Sequence, residues 1–260
     1  MIYSPKDWVR LLLAGHFRRK LARASQDYDP AAASALVVSP HPDDESLGCG
    51  GLIAAKCKAG QRVDVLFLTA GEASHPGHPL LAAAELSERR RQEARSALAL
   101  LGVPPERMHF WDLPDGRLGE AGEANAAGER LARLIRQLGP GEIFTPFHGG
   151  GSSEHSAAFL LTRRSLAEAG GGRLMEYPVW GWWNAFRLSG RLDRGREPGN
   201  RRLPLGGLRA LKRRAVACHR SQVEPTPPWA EPVLPPVLVS ACCGPVEFFF
   251  ASDIPPAQTP

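Results

Sequence analysis

The sequence predicts an α/β domain in which helices cover both faces of a mainly parallel sheet. Three observations predict it. Short apolar runs of strand length alternate with longer helical segments from Ser34 to about Glu168. Glycine and proline punctuate the junctions, as at Gly60, Gly102-Val103-Pro104 and Gly139-Pro140. A repeated strand-to-helix rhythm requires crossovers, and crossovers place consecutive strands parallel.

The chain opens on residues 2–25, where Trp8, Val9, Leu11, Leu12, Leu13, Phe17 and Leu21 are interleaved with Arg10, Arg18, Arg19, Lys20 and Arg23. This reads as an amphipathic helix with a basic face. A helix of that kind either lies on a membrane surface or docks on its own domain. Gln26 to Ala33, with Pro30, reads as a linker, so residues 1–33 precede a single domain of 34–254. Ala35 to Ser39 is the first strand, followed by a helix near 47–59 that Gly60 ends. Val63 to Leu68 is the second strand, and a loop rich in Gly, His and Pro runs from Thr69 to Pro79. A helix from about Leu81 to Leu101 stops at Gly102, and Met108 to Trp111 is a short strand. Leu113-Pro114-Asp115-Gly116 is turn chemistry. A helix from about Ala124 to Leu138, a strand from Glu142 to Thr145 and a helix near 155–168 complete the alternation.

Beyond Gly172 the pattern becomes irregular. An aromatic stretch, Leu174 to Trp183, precedes a basic one punctuated by Gly and Pro. A helix from about Leu208 to Ser221, a Pro-rich loop from Pro225 to Pro236 and a last strand from Val246 to Ala251 follow, and 255–260 reads as a loose tail. The adjacent Cys242 and Cys243 read as small apolar residues in a strand.

Composition narrows the class. Hydrophobic residues are 43% and charged residues 23%, as in a soluble globular protein. No apolar run approaches the ~20 residues of a membrane span. No secretory signal is evident, and five cysteines without metal or redox spacing point to free thiols in a reducing compartment, hence a cytoplasmic location. The net charge of +5 is concentrated: residues 187–214 hold ten basic and two acidic side chains, which leaves the remainder at −3. Such a segment attracts phosphate or acidic lipid, at the inner face of a membrane for example, or is simply a solvated face. Nothing beyond this charge suggests nucleic acid.

The chemistry is concentrated in Ser39-Pro40-His41-Pro42-Asp43-Asp44-Glu45-Ser46, at the junction of the first strand and its helix. Open α/β sheets place their ligands at such junctions. One imidazole and three carboxylates within five residues are costly to bury unless a cation compensates them. His41 and Asp44 can turn toward one metal ion while Asp43, between them, remains a free carboxylate. An imidazole and a carboxylate with an open position make a catalytic zinc ligand set. An Asp-Asp pair alone would read as a helix cap. Gly48-Cys49-Gly50-Gly51 lacks dinucleotide-binding spacing, and no G-x-S-x-G elbow is present.

His41-Pro42-Asp43-Asp44-Glu45 resembles the signature of the LmbE-like, or PIG-L-like, zinc-dependent N-deacetylases. The resemblance implies a Rossmann-like, doubly wound fold, with His41 and Asp44 as metal ligands and Asp43 as general base. His155, in Ser152-Ser153-Glu154-His155, matches the last His of a second motif and is implied as the third ligand. The His that opens that motif in the family is replaced by Ser152, which cannot carry positive charge. His148, in the same glycine-rich loop, is the expected substitute as oxyanion or proton donor. Arg90, in Arg90-Arg91-Gln92-Glu93, and Asp115 match positions associated with substrate hydroxyls and site order. Glu176-Tyr177-Pro178-Val179-Trp180 and His219-Arg220-Ser221-Gln222 also resemble the family, so the likeness spans about Leu36 to Phe250. The expected activity is removal of an acetyl group from an N-acetylglucosamine-type conjugate, with Zn2+ or another divalent ion, on a carrier that the basic segment suggests is anionic. Trp180, Trp182 and Trp183 are candidates for stacking on sugar or for the core. The alternative is a zinc-containing sugar-binding protein weakened by Ser152.

Overall fold

The structure, a computed structural model, describes residues 4–192 and 199–257. Its strands are β1 (Ser25–Asp27), β2 (Ala35–Ser39), β3 (Val63–Phe67), β4 (Met108–Phe110), β5 (Glu142–Pro146), β6 (Gly172–Tyr177), β7 (Asn200–Pro204) and β8 (Val246–Ile254). Its helices are α1 (Pro5–Arg23), α2 (Asp44–Lys58), α3 (Ala83–Leu101), α4 (Ala121–Leu138), α5 (Ser153–Glu168), α6 (Leu208–Ala217), α7 (Arg220–Val223) and α8 (Pro236–Cys242). One sheet takes the strands in the order β1-β7-β8-β6-β5-β2-β3-β4. Every pairing is parallel except those of β8, which runs antiparallel to β6 and β7.

Successive side chains of a strand point to opposite faces, so β2 must be apolar on both to sit in the middle. Ala35 and Val37 pack with Leu47, Leu52 and Ala94 on one face. Leu36 and Val38 pack with Leu131, Ala158 and Leu161 on the other. β2 therefore leads into α2 on the first face, and its neighbour β5 leads into α5 on the second. The two loops diverge at the carboxyl edge of adjacent strands and leave the crevice in which doubly wound sheets bind ligands.

The helix of the metal motif is held from the far end of the chain. Glu247, at the start of β8, accepts bonds from the backbone N–H groups of Gly51 and Leu52, each at 2.8 Å. Lys212 Nζ donates to Glu247 Oε1 and to the Leu47 carbonyl, each at 2.7 Å. Burial lowers the Lys212 pKa, but the Glu247 charge and hydrogen bond outweigh it and raise the value.

The amino-terminal helix docks on its own domain. It buries Ala14, Phe17 and Leu21, and Arg18 donates to the carbonyls of Ala241 and Val246. Among the described residues no helix is long and apolar enough to cross a membrane.

The carboxyl-terminal half is more regular than its sequence pattern. β6 and β7 depart from the expected irregular region, because Gly172-Arg173 and Asn200-Arg201-Arg202 break apolar continuity in the sequence. β1 lies within the expected linker, where its three residues gain order by pairing with β7. The expected 208–221 helix is interrupted at Cys218-His219. Cys242 and Cys243 lie at the end of α8 and not in a strand: Pro236 occupies the first helical turn, where its missing N–H costs nothing. The backbone N–H of Ala257 bonds the Ala167 carbonyl, which ties down the described part of the tail.

Candidate active site

The His41 ring, at the carboxyl end of β2, bridges two carboxylates. Its Nδ1 lies 3.2 Å from Asp44 Oδ2 and its Nε2 lies 3.0 Å from Asp115 Oδ1. His155, in the first turn of α5, places Nε2 3.1 Å from Asp44 Oδ1. The two imidazole centroids are 6.3 Å apart. One ligand atom from each of His41, Asp44 and His155 lies within 4.8 Å of the others. His41, Asp115 and Glu154 form a second such group that shares the same histidine.

The donor set fits a divalent cation. His155 is 1% exposed, yet neither of its ring nitrogens makes a well-directed hydrogen bond. A buried imidazole left open toward a carboxylate is the arrangement a metal satisfies. Burial raises the Asp44 pKa, but His155 and His41 outweigh it and hold the carboxyl well below its usual range. Burial also lowers His41, but its bonds to Asp115 and Asp44 raise it to about 10.

Asp43 is positioned differently. It is the single non-glycine among the described residues with a positive φ, 152°. Its N–H donates to Glu45 Oε2 at 2.9 Å, and its Oδ2 accepts from Arg90 Nη2 at 3.0 Å. Strain of this kind costs about 1–3 kcal/mol and persists only where the surroundings enforce it. Burial pushes the Asp43 carboxyl up to about 6, against the pull of Arg90. Near-neutral affinity for a proton suits a general base.

These groups open into a cavity of about 630 Å³. His41, Asp43, Asp44, Arg90, Asp115 and Ser152 line it. Arg90 does not reach out to solvent: it is 2% exposed and also donates to the carbonyls of Gly71 and Pro42. Asp115 holds the His41 ring with one oxygen and accepts the Ala73 N–H with the other. Ser152 caps α5, its hydroxyl oxygen accepting from the His155 N–H at 3.3 Å, which leaves its own proton to donate. Trp180 and Trp183 line the cavity, whereas Trp182 is buried against Phe248.

The structure does not bring His148 into this group. Its Nδ1 lies 2.5 Å from Glu176 Oε2, and its ring stacks on Phe159 at 4.4 Å. These contacts turn the imidazole away, and it is not among the cavity-lining residues. Part of the basic segment is also engaged within the fold, while Arg187, Arg213 and Arg214 stay exposed. Arg191 pairs with Glu176, Arg202 with Asp27 and Lys212 with Glu247, while Arg209 donates to the Cys243 carbonyl. Arg194 and Arg196 lie outside the described residues.

Sequence reasoning misses the support around Asp43. Glu45 Oε1 accepts from Ser46 Oγ at 2.6 Å and lies 3.1 Å from His219 Nε2. Glu45 stands inside the motif, and His219 within a family-like stretch, but only the fold joins them. Gln222 and Glu154 likewise carry no role in the sequence reading, though the first lines the cavity and the second joins His41 and Asp115 in the second candidate ligand group.

Fold and site together define an α/β protein whose His–Asp–His cluster offers a ligand set for a divalent cation beside a carboxylate outside that set, Asp43, which Arg90 holds. The family described as PIG-L: GlcNAc-PI de-N-acetylase matches residues 36–166. The chain belongs to this family. It is 30% identical over 252 residues to the 1D-myo-inositol 2-acetamido-2-deoxy-alpha-D-glucopyranoside deacetylase of Rhodococcus jostii, a match that covers 75% of this chain and 84% of that one. It spans only about half the length of other curated relatives, 51% of one and 54% of another. Among solved structures, the conserved protein TT1542 of Thermus thermophilus is 28% identical with a TM-score of 0.55, over 74% of this chain and 80% of that one. GalB, the 4-carboxy-2-hydroxymuconate hydratase of Pseudomonas putida, gives a TM-score of 0.63 over 87% of this chain and 98% of its own. At 19% identity that likeness shows the fold alone.

Proposed function

We propose that this protein is a zinc-dependent N-deacetylase acting on an N-acetylglucosamine-type sugar conjugate. The observation that carries the reading is the convergence of ligand atoms of His41, Asp44 and His155 within 4.8 Å, beside the cavity that His41, Asp43 and Asp44 line. Relatives named as sugar deacetylases, among them the Rhodococcus jostii enzyme, supply the substrate class.

His41, Asp44 and His155 would hold the ion. A zinc ion held there would supply a bound water with its pKa lowered toward ~7 and a Lewis acid for a carbonyl. Asp43 takes the proton from the attacking water as its oxygen adds to the acetyl carbon. Ser152, its acceptor side engaged by the His155 N–H, turns its hydroxyl proton toward the carbonyl oxygen as negative charge develops. The C–N bond then breaks, and the proton held on Asp43 passes to the leaving nitrogen. The products are acetate and a free amine. Asp115 fixes the tilt of His41, and Arg90 fixes the Asp43 carboxylate.

The test is acetate release from N-acetylglucosamine conjugates by wild type and Asp43→Ala, with and without a chelator, with metal content measured in parallel. The reading expects release that the chelator abolishes, and a variant that keeps its metal but loses turnover by about 10²–10⁴. Turnover by Asp43→Ala equal to wild type, or no release by the metal-loaded protein, overturns it. Ser152 in place of a histidine favours a second reading, a sugar-binding protein. That reading expects saturable sugar binding with no acetate.

A further inference from the structure

The cavity holds a cation that the deacetylation scheme does not use. Ala185–Arg191 is a turn of 3₁₀ helix after the tryptophan cluster. Arg187 and Asn184 of this segment both line the cavity. The Arg187 N–H bonds the Asn184 carbonyl, so one turn projects both side chains. The guanidinium lies flat against Gly151, in the loop that leads to His155. A Cβ at Gly151 would stand 2.9 Å from Arg187 Cζ, and the glycine has φ 97°. A side chain at that position would displace the arginine.

Arg187 is also unspent. Asp43, Asp44 and Asp115 line the same cavity, yet among the described residues Arg187 makes no ion pair and no side-chain hydrogen bond. Arg90, the other cation there, is committed to Asp43, Pro42 and Gly71. Of the dense basic segment, Arg191, Arg202, Arg209 and Lys212 are consumed within the fold. A planar fork of donors, held at a cavity wall with no partner among the described residues, matches a carboxylate or phosphate bidentately.

We propose that Arg187 forms an anion subsite at the cavity rim, which takes a phosphate or carboxylate borne by the N-acetylated substrate. This rests on the deacetylase reading for the sugar and adds the charge of what the sugar carries. Arg187 is a specificity residue and stays outside bond breaking. Asn184, which lines the same cavity, offers a neutral amide donor.

The experiment compares N-acetylglucosamine 1-phosphate, N-acetylmuramic acid and N-acetylglucosamine as probes of phosphate, carboxylate and no charge. Acetate release and calorimetric binding are measured for wild type, Arg187→Ala, Arg187→Lys and a remote control, Arg214→Ala. For at least one anionic probe, wild type should show higher kcat/KM than for the neutral sugar. Arg187→Ala should remove that preference, by about 10- to 100-fold, chiefly through KM. Its activity on the neutral sugar should change little, Arg187→Lys should recover part of the preference, and Arg214→Ala should match wild type. Which anionic probe loses most separates phosphate from carboxylate. If no probe releases acetate, the deacetylase reading fails, and binding alone judges the subsite: anion binding lost in Arg187→Ala supports it. Equal handling of charged and neutral probes by wild type, or a loss in Arg187→Ala that is the same for both, overturns it.

Discussion

The backbone N–H of Asp43 donates to Glu45 Oε2 at 2.9 Å, two residues along the same turn, while Asp43 holds φ at 152°. That bond closes a chain of buried contacts running from His219 through Glu45 to the proposed base. Glu45 is fully buried, so the chain is shielded from solvent. The unfavourable torsion aims the carboxylate into the cavity, and Glu45 holds the torsion in place.

Glu45→Gln should therefore act on turnover through Asp43. The variant keeps the volume but loses the charge that faces His219. We expect kcat to fall about 10- to 100-fold with KM nearly unchanged, the usual effect of losing an outer partner. Metal content should persist, because His41, Asp44 and His155 are untouched. Steady-state kinetics with metal analysis checks this, and an unaltered kcat would show that Asp43 keeps its torsion without Glu45.

His148→Ala should leave kcat near wild type. Its ring packs on Phe159 and its Nδ1 faces Glu176, away from the cavity. The cost should appear in stability, since Glu176 is 1% exposed and loses the imidazole, keeping only the residue-148 backbone N–H and Arg191. A loss of about 1–3 kcal/mol is expected for a buried acceptor left short, read from denaturant midpoints. A kcat drop without a stability change would return His148 to the chemistry.

Two glycine substitutions should move stability in opposite directions. A Cβ at Gly48 would stand 2.1 Å from Tyr177 Cδ2, and Tyr177 is pinned by its bond to the Val38 carbonyl. Gly48→Ala should destabilise by about 1–3 kcal/mol through overpacking. A Cβ at Gly128, inside α4, would meet Leu161 at 3.7 Å, an ordinary contact. Gly128→Ala should stabilise by about 0.5–1 kcal/mol, since alanine loses less entropy in a helix. Thermal melts of the pair, referenced to wild type, decide it.

Asp64 sets part of the acid limit. Burial raises its pKa, but hydrogen bonds from His109 and Arg62 outweigh that and hold it below the usual carboxylate value. A folded pKa below the unfolded one contributes stability that is present above about pH 4 and is lost as pH falls through the folded value. Asp64→Asn should flatten the stability profile in that acid window and leave its shape near neutrality alone. Urea midpoints measured between about pH 6 and pH 2 test it. An acid limb as steep as in wild type would remove Asp64 from the account.

The legible parts of this protein are those written within a few residues of one another. His41 and Asp44 are three positions apart at a strand end, so their convergence needs only a turn. β2, β3 and β5 are buried throughout, as strands covered on two faces must be. His155 is reachable through the family likeness, since spacing alone gives a histidine in the first turn of a helix no special standing. What cannot be read depends on partners distant in the chain. The basic segment looks like a charged surface in one dimension, but Glu176 and Glu247 draw Arg191 and Lys212 inward. β7 carries two arginines in five residues and is a strand because β1 and β8 flank it. His148 sits in the expected loop, and only the buried Glu176 on β6 decides which way it faces.

The clasp that Lys212 and Glu247 form on α2 spans most of the chain: Glu247 bonds Gly51 across 196 positions. The helix that begins at Asp44 thus completes its environment only after strand β8 has been made and inserted antiparallel beside β6. Contacts of such high sequence separation form late and slowly. During synthesis, residues 36–166 emerge long before their brace, so the corner that His41 and Asp44 form should mature among the last features of the fold. A nascent chain halted short of Glu247 would display the whole signature motif without the clasp that steadies it.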